Sequence, residues 1–142
     1  MFRRPGFTLI AVLIVAAFLA ILAWAVIPQF SSAASDVRTG AMTTRLSAVR
    51  GALELYWIQH GGRYPALRTF VAQLTEATRA DGSVAAVGTD GYPLGPYLQS
   101  MPVNPATQTD TIGDGPPGSS AWYYNEATGE FRANDSEESR AM

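Results

Sequence analysis

Few side chains in this sequence have the types and spacing that chemistry requires. The 142-residue chain has no cysteine and a single histidine, His60. A disulfide framework and a thiolate zinc site are therefore excluded, and one histidine cannot build a multi-histidine metal site within one chain. The sequence holds no Ser-His-Asp set, no phosphate-binding glycine loop and no framed pair of acids. We predict that the protein is not an enzyme.

Oxygen ligands in the second half of the chain form the remaining candidate site. Asp110, Asp114, Asn134 and Asp135 lie in segments rich in glycine, proline and polar residues. Calcium binds such oxygen ligands, but their spacing does not follow the EF-hand pattern. Two interpretations stay open, a calcium site that includes Asp110, Asp114 and Asp135 or a solvated loop. No other cofactor is predicted.

Charge excludes one class of partner. The formal net charge is -2, so the chain lacks the basic footprint of a nucleic-acid-binding protein. Charged residues make up only 15% of the sequence, in part because residues 6–35 carry no charge. We expect no nucleic-acid partner.

The uncharged N-terminal run predicts a membrane anchor. Residues 7–30 are without charge, and about 20 residues of helix are needed to span a bilayer. Arg3 and Arg4 precede the run, so the positive-inside rule places the N-terminus in the cytoplasm. A cleaved export signal is the alternative, with a weak cleavage site at residues 32–34, but its apolar core would be shorter.

Helical periodicity continues beyond this run. Apolar residues recur at steps of four and three and predict one buried helix face: Met42, Leu46, Val49, Leu53 and Tyr56. Pro28 is the main interruption, and Gly61-Gly62 predicts the end of the helix. His60, beside this end, is predicted to cap the helix or lie on its surface, because a cation suits the helix C-terminus.

The rest of the chain predicts a small α+β cap. A second helix is indicated by apolar spacing over Leu67, Phe70, Val71 and Leu74. Residues 83–118 read as turns, and residues 122–132 as a β-hairpin around Gly129. Trp122 and Tyr124 are expected to share one face with Phe131 across from them. We expect the tyrosines and tryptophan of this half, Tyr92, Tyr97, Trp122, Tyr123 and Tyr124, to pack in the core rather than form a binding patch.

These elements predict an α+β fold and five segments. A long N-terminal helix would span the membrane with its proximal half and pack with its distal half on a small loop-rich domain. That domain would hold a short second helix and an antiparallel hairpin. We divide the chain into a leader (1–6), a membrane or filament-core helix (7–30), the amphipathic half of the helix (31–62), a globular cap (63–135) and a polar tail (136–142).

The N-terminal residues carry a family resemblance. MFRRPG is a short basic leader that ends in Gly6, FTLI follows from Phe7, and Pro28 is the twenty-second residue counted from Phe7. With these features the chain resembles the type IV pilin-like proteins, most closely a pseudopilin of the type II secretion class. Its later part, a long helix that ends in GGRYP before a small loop-rich region, resembles the major pseudopilin, and GPYLQSMPVNP and WYYNEATGEFRAN look like segments of a recurrent bacterial pseudopilin subgroup.

The resemblance implies processing and assembly. A prepilin peptidase of the membrane would cut between Gly6 and Phe7 and methylate the new amine of Phe7. Identical or related pseudopilin subunits would then stack through Thr8, Leu9, Ile10, Ala11 and their apolar helices into a filament in the periplasm. The inner membrane and a secretion assembly platform are the other implied partners. Pro28 would either kink the helix at the membrane exit or let it bend on assembly.

Ala11 departs from the family pattern. Members usually carry Glu at this fifth residue after the cleavage site, where it neutralises the terminal amine of a neighbouring subunit. Three explanations stay open: a minor or tip subunit, a main subunit whose amine is satisfied otherwise, or a variant that no longer polymerises. A monomeric, membrane-anchored binding module is the rival interpretation from another functional class.

Overall fold

The computed structural model describes residues 8–139, with only the backbone described for residues 25–34. The chain divides into two compact units, Met1–Val37 and Arg38–Met142. One helix, α1 (Leu9–Gln59), contributes to both. It passes through position 28, so Pro28 does not end it. A helix long and apolar enough to cross a membrane is not found in the described part of the chain.

The described part of the first unit is helix α1 and its start. The carbonyl oxygen of Thr8 accepts hydrogen bonds from the Ala11 and Val12 amides at 2.9 and 3.3 Å, which closes the first turn. The first turn contains no acidic residue. The large apolar side chains from Leu9 to Trp24 are between 51% and 83% exposed. They lie on every side of the helix, because no helical face of this stretch is polar.

In the second unit, α1 buries the face that its periodicity predicts. Met42, Leu46, Val49, Leu53 and Tyr56 are all 5% exposed or less. The helix ends as predicted at two glycines with positive φ, Gly61 at +66° and Gly62 at +80°. The Gly62 amide donates to the Trp57 carbonyl at 2.9 Å, which is the 6→1 hydrogen bond of a Schellman motif.

Two short helical elements and five short strands complete the second unit. A 3-10 helix (Leu67–Thr69) leads directly into α2 (Phe70–Thr75). The strands are β1 (Ala77–Thr78), β2 (Val84–Ala85), β3 (Ile112–Gly113), β4 (Trp122–Asn125) and β5 (Glu130–Ala133). β1 and β2 pair antiparallel, and a second sheet has the order β3-β4-β5. In this sheet β3 runs parallel to β4, and β4 antiparallel to β5.

The predicted hairpin is confirmed. β4 and β5 pair with Tyr124 opposite Phe131, and Gly129 in the turn has a φ of +72°. A Cβ atom built on Gly129 would lie 2.3 Å from the Tyr64 ring, so this turn requires glycine for space as well as for conformation. Trp122 and Tyr124 are both buried on one face, as period-two alternation predicts.

Aromatic rings dominate the core of the second unit. Phe70 lies 4.3 Å from Tyr124 and Trp122 lies 5.3 Å from Phe131, measured between ring centroids. Burying each of these side chains stabilises the fold by about 1.5–3 kcal/mol. The α+β class is therefore confirmed, and the distal part of α1 joins one core with α2 and the hairpin.

The second helix differs in detail from its prediction. Phe70 and Leu74 are buried and Leu67 is partly buried, but Val71 is 45% exposed. The predicted α-helical spacing fails because the segment begins as a 3-10 helix, which has about three residues per turn and shifts the buried face. The strands β1, β2 and β3 were not predicted, because each has two residues within segments dominated by turn residues.

Candidate functional site

The predicted assembly residues lie at the start of α1. Gly6 and Phe7 fall outside the described residues. Thr8 and Ile10 are exposed, and Leu9 is 79% exposed. Ala11 is half-buried in the first turn. The exposed apolar side chains of this turn are therefore available to lipid or to another protein.

The absence of a carboxylate here follows from the sequence and has a physical consequence. Between Thr8 and Ser35 every residue is uncharged, and the first acid is Asp36. An ammonium group held in an apolar environment near this turn would find no acid on the same stretch of an identical chain. Burying such a charge without a partner is costly. Neutralisation would therefore have to come from a different protein or from polar surroundings.

The predicted calcium ligands do not form one acidic cluster. Asp110 and Asp114 are exposed on either side of β3. Asp135 follows β5, and its Oδ1 and Oδ2 accept hydrogen bonds from Asn104 Nδ2 at 3.2 Å and Ser139 Oγ at 2.6 Å. Within residues 8–139 no group of three or more His, Asp or Glu side chains is placed to hold a metal ion. The calcium site stays a prediction.

Asn104 organises the polar loop that contains Asp135, and sequence reasoning did not single it out. The side chain is fully buried; its Nδ2 donates to the Ala121 carbonyl at 2.7 Å, and its Oδ1 accepts from the Ala106 amide at 2.8 Å. The motif Asn104-Pro105 lies within the stretch predicted as turns, but it does not indicate a buried side chain. Burial and long-range partners of this kind leave no local trace in a sequence.

Asn134 ties the glycine- and proline-rich loop to the end of β5. This fully buried amide donates from Nδ2 to Ser120 Oγ at 2.9 Å and to the Pro116 carbonyl at 3.1 Å. Its Oδ1 is buried and has no hydrogen-bond partner in the described part of the chain. The role is structural, because the amide closes the loop over the sheet.

His60 caps the helix, but it is not on the surface. Its Nδ1 donates a hydrogen bond to the Tyr56 carbonyl at 2.9 Å, and its Nε2 is buried with no hydrogen-bond partner among the described residues. The imidazole is 2% exposed and stacks on the Tyr56 ring with centroids 3.6 Å apart. The interpretation as a surface residue was therefore wrong, because Tyr56 and Tyr97 cover the ring.

Burial also raises the pKa values of the tyrosines in and around the core. It raises the pKa of Tyr56 to about 12, with a smaller contribution from Tyr97. Burial likewise raises the pKa of Tyr124, whose hydroxyl donates to the Pro65 carbonyl at 2.7 Å. Trp122 and Tyr124 belong to the core and Tyr97 packs against it, so for these three rings the prediction of packing is confirmed.

Comparison with known proteins gives one clear relative. Residues of this chain are 29% identical over 103 positions to the type II secretion system core protein G of Klebsiella pneumoniae, covering 72% of this chain and 69% of that protein. No family model matches the chain. No solved structure matches it either. This similarity supports the predicted resemblance to a pseudopilin of the type II secretion class.

Proposed function

We propose that this protein is a structural pseudopilin subunit of a periplasmic helical filament in a type II secretion or pilus-like system. The supporting observation is the stretch of α1 from Leu9 to Trp24, whose large apolar side chains are at least half exposed on every side. Such a helix requires lipid or other apolar helices around it. The similarity to a core protein of the type II secretion system supports the class of machine.

We expect the protein to pass through two stages, membrane insertion with processing and then assembly. The chain first crosses the inner membrane once through the apolar part of α1, with the N-terminus in the cytoplasm and the second unit in the periplasm. A prepilin peptidase cuts between Gly6 and Phe7 and methylates the Phe7 amine. An assembly platform then transfers the subunit into the filament, where neighbouring helices replace lipid. The small residues Ala16, Ala17 and Ala20 support this exchange, because they permit close helix approach.

Paired cysteines test the filament directly, because the natural chain has none. Ile10→Cys together with Ile21→Cys places two thiols about 16 Å apart along one helix. Head-to-tail packing of α1 predicts a ladder of disulfide-linked multimers after oxidation in membranes that contain the secretion system. A pair in exposed loops of the second unit, Asp90→Cys with Thr107→Cys, is the matched control. Monomers alone from the helix pair, with the protein present at normal levels, would contradict the proposal and favour a non-polymerising binding module.

A minor or tip position is the second candidate, and Ala11 favours it. A subunit without a carboxylate at this turn does not neutralise the amine of an identical neighbour. A subunit at the end of a filament has no neighbour on one side, so on that side no amine needs to be neutralised. Ala11→Glu separates the alternatives. A large gain in filaments on this substitution indicates either a minor or tip subunit or a variant that no longer polymerises. Abundant filaments from the unaltered chain, with no gain from Ala11→Glu, indicate a main subunit.

Processing has its own test. Gly6→Leu should block cleavage, because a side chain at this position obstructs close approach of the chain to a protease. Mass spectrometry of the purified protein would then show residues 1–6 retained and no methyl group. The unaltered chain should start at Phe7, and an unaltered chain that retains its leader would refute the assignment.

A further inference from the structure

A groove runs along the second unit between the start of α2 and the outer strand β3. Two adjoining cavities of about 660 and 540 Å³ form it, and both are lined by Leu67, Arg68 and Thr69. Val71 and Ile112 line one of them, and Asp114 lines the other. We call this surface the α2–β3 groove. A strand edge facing a helix across a groove is the arrangement into which extended peptides insert by strand addition.

The edge of β3 offers unpaired backbone groups to this groove. β3 is the outer strand of the sheet β3-β4-β5. The Trp122 amide donates to the Thr111 carbonyl at 2.9 Å, so the residues on either side of Ile112 face β4. Successive residues of a strand direct their N–H and C=O groups to opposite sides, so those of Ile112 face away from β4. Among the described strands, none pairs with β3 on the side away from β4.

The floor of the groove is apolar. Leu67 and Ile112 are partly buried and pack against the aromatic core. Val71, which the core does not cover, is 45% exposed on the helix side. An inserted segment would therefore find a place for one apolar side chain between these residues, and its backbone could bond to Ile112.

The charges of the groove select the occupant. Four acids line it and one base: Glu76, Asp110, Asp114 and Glu126, against Arg68. Glu126 already accepts a hydrogen bond from the Leu67 amide at 2.7 Å. The side chains of Asp110 and Asp114 take part in no hydrogen bond found within the described residues and are exposed. Charge complementarity thus favours a segment with lysine or arginine on both sides of an apolar residue.

We propose that the α2–β3 groove binds an extended, basic peptide segment of a partner protein, added as a further strand at Ile112. The central apolar side chain occupies the floor at Leu67 and Val71, and the basic side chains face Asp110 and Asp114. The inference goes beyond the filament role and does not depend on it, because every residue that carries it lies in the second unit.

A defined peptide tests the proposal on the full chain in non-ionic detergent. The probe is fluorescein-labelled Lys-Thr-Val-Thr-Lys, and binding is followed by fluorescence anisotropy. Two peptides serve as controls: Glu-Thr-Val-Thr-Glu reverses the charge, and Lys-Thr-Val-Thr-Lys with an N-methylated valine keeps the side chains but removes a central backbone donor. We expect saturable binding of the probe and at least tenfold weaker binding of both controls, which corresponds to about 1.4 kcal/mol or more.

Matched variants locate the site. Asp110→Lys with Asp114→Lys should weaken probe binding about tenfold, whereas Asp90→Lys with Glu138→Lys, an equal charge change at exposed positions outside the groove, should have little effect. Thermal unfolding confirms that both variants are folded. Absence of saturable binding, equal binding of the N-methylated peptide, or equal loss in both double variants would each overturn the proposal. The N-methyl comparison decides even if a variant fails to fold.

Discussion

The two units use apolar side chains in opposite ways. From Leu9 to Trp24 the large apolar residues are mostly exposed, whereas Leu46, Val49 and Leu53 of the same helix are at most 2% exposed. The difference follows from what else is present. The distal part of α1 has polar residues on its other faces and a domain to pack on, but the proximal part has neither. An apolar stretch of helix thus indicates that its side chains need a surface to pack on. Whether the same chain provides that surface is indicated by the arrangement of apolar and polar residues around the helix.

The largest expected effect is the loss of a buried side chain from the second unit, which tests whether apolar burial there stabilises the fold. Trp122→Ala removes a fully buried indole from the core and should lower the free energy of unfolding by about 3–5 kcal/mol. Phe18→Ala, at a position 64% exposed in the first unit, should leave it nearly unchanged. Urea unfolding followed by near-UV circular dichroism measures both. Equal losses would show that the first unit contributes to the same cooperative core.

Removing a buried polar side chain should also cost more stability than removing an exposed one, by slightly less than the loss of Trp122. Asn104→Ala leaves the Ala121 carbonyl and the Ala106 amide without their partner, which should cost about 3 kcal/mol. Asn125→Ala, which removes one exposed turn bond to the Ala127 amide, should cost about 1 kcal/mol or less. Thermal unfolding of the two variants side by side checks the order, and a reversed order would remove Asn104 from the centre of the polar loop.

Alkaline pH should weaken the second unit through its buried tyrosines. The pKa of Tyr56 is raised to about 12, whereas that of tyrosine in an unfolded chain is about 10. The stabilisation of the folded state that comes from the neutral Tyr56 is complete below pH 10 and is lost as pH rises towards 12. In this range the Tyr56 hydroxyl releases its proton in the unfolded chain but keeps it in the folded one. The loss is of order 2 kcal/mol.

Tyr56→Phe should reduce this loss and change little at pH 7, since no hydrogen bond of the Tyr56 hydroxyl is found within the described residues. Tyr92→Phe, at a half-buried ring under Arg79, is the control and should keep the full alkaline loss. Denaturant titrations at pH 7, 10 and 11 give the comparison. A Tyr56→Phe variant as alkali-sensitive as the parent would contradict the assignment.

The smallest effect concerns the outward side of α1 in the second unit. Nothing lies within 4 Å of a Cβ built on Gly51, so Gly51→Ala should stabilise the helix by about 1 kcal/mol. At Gly82, with a φ of +87° and Gln73 Nε2 at 3.0 Å from the built Cβ, alanine should destabilise instead. Melting temperatures of the two variants should therefore move in opposite directions. A destabilising Gly51→Ala would show that this face is not open.

Elements with a regular pattern were predictable from the sequence. The buried face of α1 and the hairpin were predicted correctly because apolar residues recur there at helical or strand spacing. The Gly61-Gly62 end was predictable since two glycines permit the left-handed backbone of a cap. The resemblance to pseudopilins rested most strongly on residues 1–30, whose local motifs need no tertiary information.

Features that depend on distant partners could not be predicted. β3 has two residues and exists because it pairs with β4, and Asn104 is buried because Ala121 and Asp135 close over it. His60 was expected to cap the helix or lie on its surface, and its burial could not be predicted, since the local sequence shows a helix end but not the Tyr97 ring that covers the imidazole. The groove beside β3 combines residues from three separate stretches of chain, 66–76, 110–114 and 123–126, so no single motif predicts it.

The glycine beneath Tyr64 has a practical consequence for labelling this protein. Hairpin turns are common places to insert an epitope or a fluorophore. Here the turn is covered, since even one added carbon at Gly129 would collide with the Tyr64 ring. Gly118, where a Cβ would meet nothing within 4 Å, lies in open space despite a φ of +82°. Tags that must leave the second unit intact should therefore avoid the hairpin turn, and also the loop around Gly118, because Asn134 holds that loop through its bonds to Pro116 and Ser120.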